Sequence, residues 1–132
     1  MDTPMPRLWL VSGALLGFLG VAAGSFGAHG LKSLLESHGQ SANWETAVRY
    51  CLFHAIALVI VGILAGLPQA SGARGLVSAA GWSFLVGTAI FSGMLAALAL
   101  SGVKILGAIV PIGGVLLLVG WACLAAAAWL SK

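Results

Sequence analysis

Four apolar runs, each long enough to cross a bilayer, make up most of this chain and decide what it can fold into. They cover residues 8–28, 44–67, 75–101 and 105–130, and a transmembrane α-helix needs about 20 apolar residues. Only 7% of the residues are charged, whereas a soluble domain carries roughly a quarter. The sequence therefore predicts an all-α integral membrane protein, with residues 1–132 forming one up-down four-helix bundle.

Five glycines in the first run follow one another at steps of four, three, four and three residues. They are Gly13, Gly17, Gly20, Gly24 and Gly27. These steps place all five on one stripe of a helix, where small residues let a second helix approach closely. A cleaved signal peptide is the competing interpretation, but its apolar core is shorter, at roughly 7–15 residues. We expect the stripe to contact another helix.

The connection after the first run is the longest of the three. Leu31, Leu34 and Leu35 share one face of a helix, while Lys32 and Glu36 lie on others, a pattern typical of a short interfacial helix. An irregular loop is the alternative. An even number of spans places both termini on one side of the membrane, and the basic residues divide equally between the two sides. Because basic residues next to the first span often set the orientation, Arg7 favours cytoplasmic termini.

Two features are expected to shape the ends of the later spans. Pro111 interrupts the fourth run early, and proline removes one intrahelical hydrogen bond, so a kink or a distorted first turn is predicted. Trp44 opens the second run and is predicted to be an interfacial anchor. Ser41 or Asn43 could cap that helix.

Polar or ionisable groups near bilayer depth are the candidate functional residues. They are His29, Glu45, Arg49, Tyr50, His54 and Ser92. Glu45 precedes Arg49 by four residues, the favourable order for a helical ion pair. His29 and His54 could ligate a haem iron or another metal, or His54, Tyr50 and Glu45 could relay protons. The alternative is that these groups form structural hydrogen bonds between helices.

The rest of the sequence carries no signature of catalysis. It lacks CxxCH, HExxH and GxSxG, and its glycines follow helix packing rather than a phosphate-binding loop. Its basic residues are scattered, which argues against nucleic-acid binding. We therefore predict a non-enzymatic protein without cofactor or metal, in a structural or accessory role. Its partners are the lipid bilayer and other membrane proteins or a second copy. The alternatives are a small-solute or proton pathway through His29, Tyr50 and His54, and an electron-transfer subunit with haem.

The turn after the first run resembles a known motif. Ser25-Phe26-Gly27-Ala28-His29 is similar to the GAFGAH motif of the YgdD-like family of small four-span bacterial inner-membrane proteins. Further similar segments follow in the same order at 44–54, 91–100, 111–114 and 120–121. The resemblance implies a four-span fold and a bacterial inner-membrane location. The family has no established activity, so no catalytic residues are implied.

The chain departs from this family's pattern at several polar positions. Cys51, Met94, Ala96 and Val110 stand where the family tends to have Gln, Ser, Tyr and Thr. The polar residues that match the family are His29, Tyr50, His54 and Ser92. A polar site inside the bundle would have to be built from this smaller set.

Overall fold

The computed structural model describes residues 4–131, and all the regular structure in that range is helical. In chain order the helices are α1 (Pro4–Ala28), α2 (Lys32–Ser37), α3 (Ser41–Gly66), α4 (Arg74–Ser101) and α5 (Val110–Leu130). Short 3-10 helices, Pro68–Ala73 and Lys104–Ala108, precede α4 and α5. The four long helical segments are long and apolar enough to cross a membrane. The predicted all-α membrane fold is confirmed.

The long helices pack in chain order, with α1 on α3, α3 on α4 and α4 on α5. Within the described residues, no Cα atom of α1 or α3 lies within 8 Å of a Cα atom of α5. Buried residues make up 39% and 44% of the most apolar segments of the second and third spans, but only 17% and 22% of those of the first and fourth. The bundle therefore has α3 and α4 at its centre and α1 and α5 on either side.

The glycine stripe of α1 faces α3 along its whole length. A Cβ atom added at Gly13 would lie 2.8 Å from the carbonyl oxygen of Ala55, and one at Gly20 would lie 2.6 Å from the side chain of Leu52. The side chains of Ala55, Val48 and Trp44 lie beside Gly17, Gly24 and Gly27, respectively. The two backbones can approach this closely because side chains are absent on one of them.

Glycines also set the contact between α4 and α5. A Cβ atom at Gly113 would lie 2.5 Å from the backbone nitrogen of Phe91 and 2.8 Å from the carbonyl oxygen of Gly87. Near the other end of the bundle, Gly81 makes room for Trp9, whose side chain is fully buried and joins α1 to α4. These glycines do not form an evenly spaced stripe, so their role is visible only in the packed structure.

The helix ends differ from the predicted bounds. The first helix begins at Pro4 rather than residue 8, because hydropathy marks the lipid-crossing part while the helix extends into the interface. The fourth begins at Val110 rather than residue 105. Pro111 is its second residue, a position where the missing N–H removes no intrahelical bond. The distortion expected at this proline is therefore the 3-10 helix before it, with no kink inside a longer α-helix.

Two further details at the start of α3 correct the sequence-based expectations. The residue before the helix is Gln40, and neither Ser41 nor Asn43 caps it with a side-chain hydrogen bond. Trp44 is buried instead of anchoring at the lipid surface, and its Nε1 donates a hydrogen bond to the carbonyl oxygen of Ala23, 3.0 Å away. A buried indole is well suited to join two helices, because its ring packs against apolar side chains and its N–H needs a hydrogen-bond acceptor.

Candidate functional site around His54

His54 lies at the middle of α3 and is the most buried of the ionisable groups predicted to be functional, with 5% of its surface exposed. Three aromatic rings pack against it, a fourth stacks on one of these three, and together with His54 they form what we call the aromatic cluster. The other members are Tyr50 of α3, Phe84 and Phe91 of α4, and Trp121 of α5. Because the cluster draws on three helices, the sequence spacing alone could not reveal it.

Helical spacing places each ring of the cluster. Tyr50 and His54 are four residues apart and therefore lie on one face of α3, and Phe84 and Phe91, seven residues apart, share a face of α4. Gly120 lies against Phe84, where a Cβ atom would come within 2.6 Å of the ring. The glycine before Trp121 thus lets α5 approach closely enough for the indole to reach α3.

Both ring nitrogens of His54 are engaged. The Nε1–H of Trp121 donates to Nε2 of His54 over 3.1 Å, and an indole nitrogen can only donate. Nε2 is therefore the acceptor, so the proton of the neutral ring lies on Nδ1, which donates to the carbonyl oxygen of Tyr50 over 2.8 Å. A proton taken up at Nε2 would displace the Trp121 bond, which joins α3 to α5 across α4.

Contacts between aromatic rings accompany this hydrogen bond. The centroids of Tyr50 and Phe91 lie 4.3 Å apart at an interplanar angle of 25°. Phe84 is 5.0 Å from Trp121 and 5.5 Å from His54, separations at which aromatic pairs attract beyond simple burial. The aromatic cluster is therefore a packed contact among three helices.

Smaller polar groups form similar links elsewhere. Ser92 of α4 donates from Oγ to the carbonyl oxygen of Ala47 on α3 over 2.7 Å. Cys51 of α3 donates from Sγ to the carbonyl oxygen of Leu16 on α1 over 3.3 Å. Each of these side chains uses a backbone carbonyl of a neighbouring helix as its acceptor, which is the structural alternative considered from the sequence.

The remaining candidate residues do not join the aromatic cluster. His29 lies in the turn after α1 and is exposed, so of the two candidate histidines only His54 is buried within the bundle. Glu45 and Arg49 are exposed and do not approach within the 4.0 Å of an ion pair. Among residues 4–131, no three His, Cys, Asp or Glu side chains gather as metal ligands would.

Sequence reasoning also missed two residues that hold helices together. His38, just after α2, has its Nδ1 3.1 Å from the carbonyl oxygen of Ala99 on α4. Trp121 was noted only as part of the resemblance, although it is the partner of His54. Each partner lies more than 60 residues away along the chain. Finding such pairs requires the relative heights of the helices, which the sequence does not state.

These features define a class: a small helical membrane protein whose buried polar side chains link neighbouring helices. Comparison with known proteins then identifies the family. Residues 23–114 match the family described as "Protein of unknown function (DUF423)", and the chain belongs to it. UPF0382 membrane proteins of Staphylococcus aureus strains USA300 and N315 are 41% identical over 115 residues, covering 87% of this chain and 89% of theirs. The protein of bovine strain RF122 is 40% identical over the same length. No solved structure matches.

Proposed function

We propose that this protein is a non-enzymatic membrane component with a structural or accessory role, which binds a transmembrane helix of a partner protein. The observation that carries the proposal is an apolar groove of about 360 Å³ between α1, α3 and α4. We call it the small-residue groove, because its walls include Gly20, Ala23, Ala47, Ala89, Gly93 and Ala96.

The groove has the composition of a helix-docking surface. In a bilayer the hydrophobic effect does not drive helices together, so association depends on close approach over small residues. A Cβ atom added at Gly93 would meet nothing within 4 Å, which means that this wall is open. By contrast, the surface of α1 at Gly13 is already covered by α3, where a Cβ atom would lie 2.8 Å from the carbonyl oxygen of Ala55.

A proton or solute pathway through His29, Tyr50 and His54 has less support. Both nitrogens of His54 already hold hydrogen bonds, and its ring is packed between Phe84 and Trp121. The same bonds leave neither nitrogen free to ligate a haem iron. His29 is exposed in a turn, outside the cluster.

The location is part of the proposal. The resemblance of residues 25–29 to the YgdD-like motif supports placement in the bacterial inner membrane. Arg7, which is exposed next to the first span, supports cytoplasmic termini. Reporter fusions at the two termini should agree with each other and report the cytoplasmic side.

Site-specific photocrosslinking tests the groove. A photoreactive residue at position 93 should yield a protein adduct of defined mass in native membranes. The matched control is position 118 on α5, where Leu118 is 71% exposed and does not line the groove. Repeating the experiment with purified protein in vesicles separates a second copy from a different partner. Equal labelling at both positions, or adducts with lipid alone, would refute the docking surface.

Flux measurements test the alternative. Liposomes containing the wild-type protein and empty liposomes should dissipate a pH gradient at the same rate. The comparison variant carries His29→Ala and His54→Ala. Flux that exceeds the empty liposomes and disappears in this variant would overturn the accessory role in favour of transport.

A further inference from the structure

A second cavity lies where the end of α1, the short α2 and the start of α3 meet. Its volume is about 690 Å³, and its walls combine polar and apolar surface. Four ionisable side chains line it, at Lys32, Glu36, Glu45 and Arg49. We call it the interfacial pocket. It lies at the edge of the membrane opposite the termini, because one complete span separates it from the start of the chain.

The charges of the interfacial pocket balance, whereas the chain as a whole carries a net charge of +3. Two of the four lining groups are cationic and two are anionic. Lys32 and Glu36 approach to 4.0 Å, but both are more than half exposed, and exposed ion pairs are weak. Glu45 and Arg49 form no ion pair within the described chain. All four charges are therefore available to a ligand that carries both signs.

The walls of the interfacial pocket are held in place by buried contacts. Leu35 is 2% exposed and packs with Trp44 and Ala99, which fixes α2 on the bundle. The bond between His38 and the carbonyl oxygen of Ala99 holds the end of α2, and the bond from Trp44 to the carbonyl oxygen of Ala23 joins α1 to α3. The helices that carry the four charged side chains are therefore already in place before a ligand enters, which lowers the conformational cost of binding.

We propose that the interfacial pocket binds a phospholipid whose headgroup carries both a phosphate and a primary ammonium. Lys32 and Arg49 bind the phosphate, for which guanidinium groups are well suited. Glu36 and Glu45 accept hydrogen bonds from the ammonium. The apolar part of the wall, at Val48 and Leu52, contacts the glycerol and the first acyl carbons. This specific site goes beyond the general contact of the spans with lipid.

The pairing of charges distinguishes this headgroup from two common ones. A choline headgroup has the same charges, but its quaternary ammonium has no N–H to donate to the glutamates. A glycerol headgroup carries the negative phosphate but no cationic group. The two glutamates would therefore repel it and have no ammonium to bind. Phosphatidylethanolamine offers a phosphate to the two cationic groups and an N–H donor to the two glutamates, and it is the appropriate probe.

Lipid titration of the purified full-length protein tests the proposal, with native mass spectrometry counting bound lipid. The three probes are phosphatidylethanolamine, phosphatidylcholine and phosphatidylglycerol with identical acyl chains. We expect phosphatidylethanolamine to bind about tenfold more tightly than the other two, which corresponds to about 1.4 kcal/mol. Glu36→Gln with Glu45→Gln should remove this preference. Lys32→Gln with Arg49→Gln should weaken binding of all three lipids.

Lys104→Gln is the matched control, since it removes a cation on the same side of the membrane but outside the interfacial pocket. It should leave the preference unchanged. A thermal melt of each variant verifies folding, and the single variant Glu45→Gln serves if the double variant unfolds. Soluble glycerophosphoethanolamine, added as a competitor, should displace little lipid; full displacement would identify a soluble ligand instead. Equal affinities for the three lipids, or a preference that survives the glutamate substitutions, would refute the site. None of these outcomes depends on a partner protein in the small-residue groove.

Discussion

Two regions of the bundle hold their helices together by different means. One is the contact between α1 and α3, and the other is the aromatic cluster that joins α3, α4 and α5. In the first, Gly13 and Gly20 bring two backbones together because they have no side chains. In the second, large rings fill the space, and a hydrogen bond from Trp121 to His54 spans the gap. The first contact is therefore sensitive mainly to added atoms, whereas the rings of the second also make it sensitive to removed ones.

The same comparison explains where polar groups lie. At the contact between α1 and α3, Trp44 and Cys51 donate to backbone carbonyl oxygens of α1. At the aromatic cluster, two polar side chains meet each other directly. Single interhelical hydrogen bonds in membranes contribute about 0.6 kcal/mol on average, so neither contact depends on its polar groups alone.

Adding a side chain at the glycine contact should have the largest effect. Gly13→Leu forces atoms against the carbonyl oxygen and backbone nitrogen of α3, which cannot move aside. We expect a loss of about 3 kcal/mol or more in the free energy of unfolding, or failure to fold. Gly20→Leu should cost less, because the obstructing atoms there belong to the flexible side chain of Leu52. Thermal unfolding in detergent measures both effects.

Gly93→Leu is the matched control for this comparison. A Cβ atom at Gly93 meets no neighbour within 4 Å, so the change should stay within about 0.5 kcal/mol of the wild type. A Gly13→Leu variant as stable as Gly93→Leu would mean that α1 does not pack on α3 as described.

Local patterns predicted part of this organisation, and the remainder depended on non-local contacts. The four spans and the stripe from Gly13 to Gly27 were readable because hydropathy and glycine spacing are properties of one helix. The pairing of His54 with Trp121 was not, because it depends on how far each helix is shifted along its neighbours. Trp44 illustrates the same limit: its position in the sequence suits an interfacial anchor, whereas its neighbours bury it.

Removing one partner of the polar pair should have an intermediate effect. Trp121→Phe keeps an aromatic ring but leaves Nε2 of His54 without a donor inside the bundle. We expect a loss of about 1–2 kcal/mol in the free energy of unfolding. The double variant, His54→Phe with Trp121→Phe, should recover part of this loss, because no unpaired polar atom remains. The wild type, His54→Phe, Trp121→Phe and the double variant form a double-mutant cycle. Titration with SDS measures the free energy of unfolding of each of the four proteins.

Additivity within the cycle would contradict the assigned hydrogen bond. The expected coupling between the two substitutions is about 1 kcal/mol. If the two costs simply add, His54 and Trp121 contribute independently, and the link from α3 to α5 must come from ring packing alone.

Among the substitutions at helix contacts, the smallest expected effect comes from Ser92, whose hydroxyl donates to a backbone carbonyl oxygen without any ring packing. Ser92→Ala removes the 2.7 Å bond to the carbonyl oxygen of Ala47. Because that carbonyl retains its helical partner, the loss should be about 0.6–1.7 kcal/mol. The same SDS titration measures it.

His29→Ala is the control for Ser92→Ala, since both replace a polar side chain that sequence analysis proposed for the site. His29 is exposed in the turn after α1, so its replacement should change the free energy of unfolding by less than about 0.5 kcal/mol. A larger cost for His29→Ala than for Ser92→Ala would reverse the assignment of the two residues. It would place His29 among the groups that join helices and extend the polar contacts of the bundle to the turn.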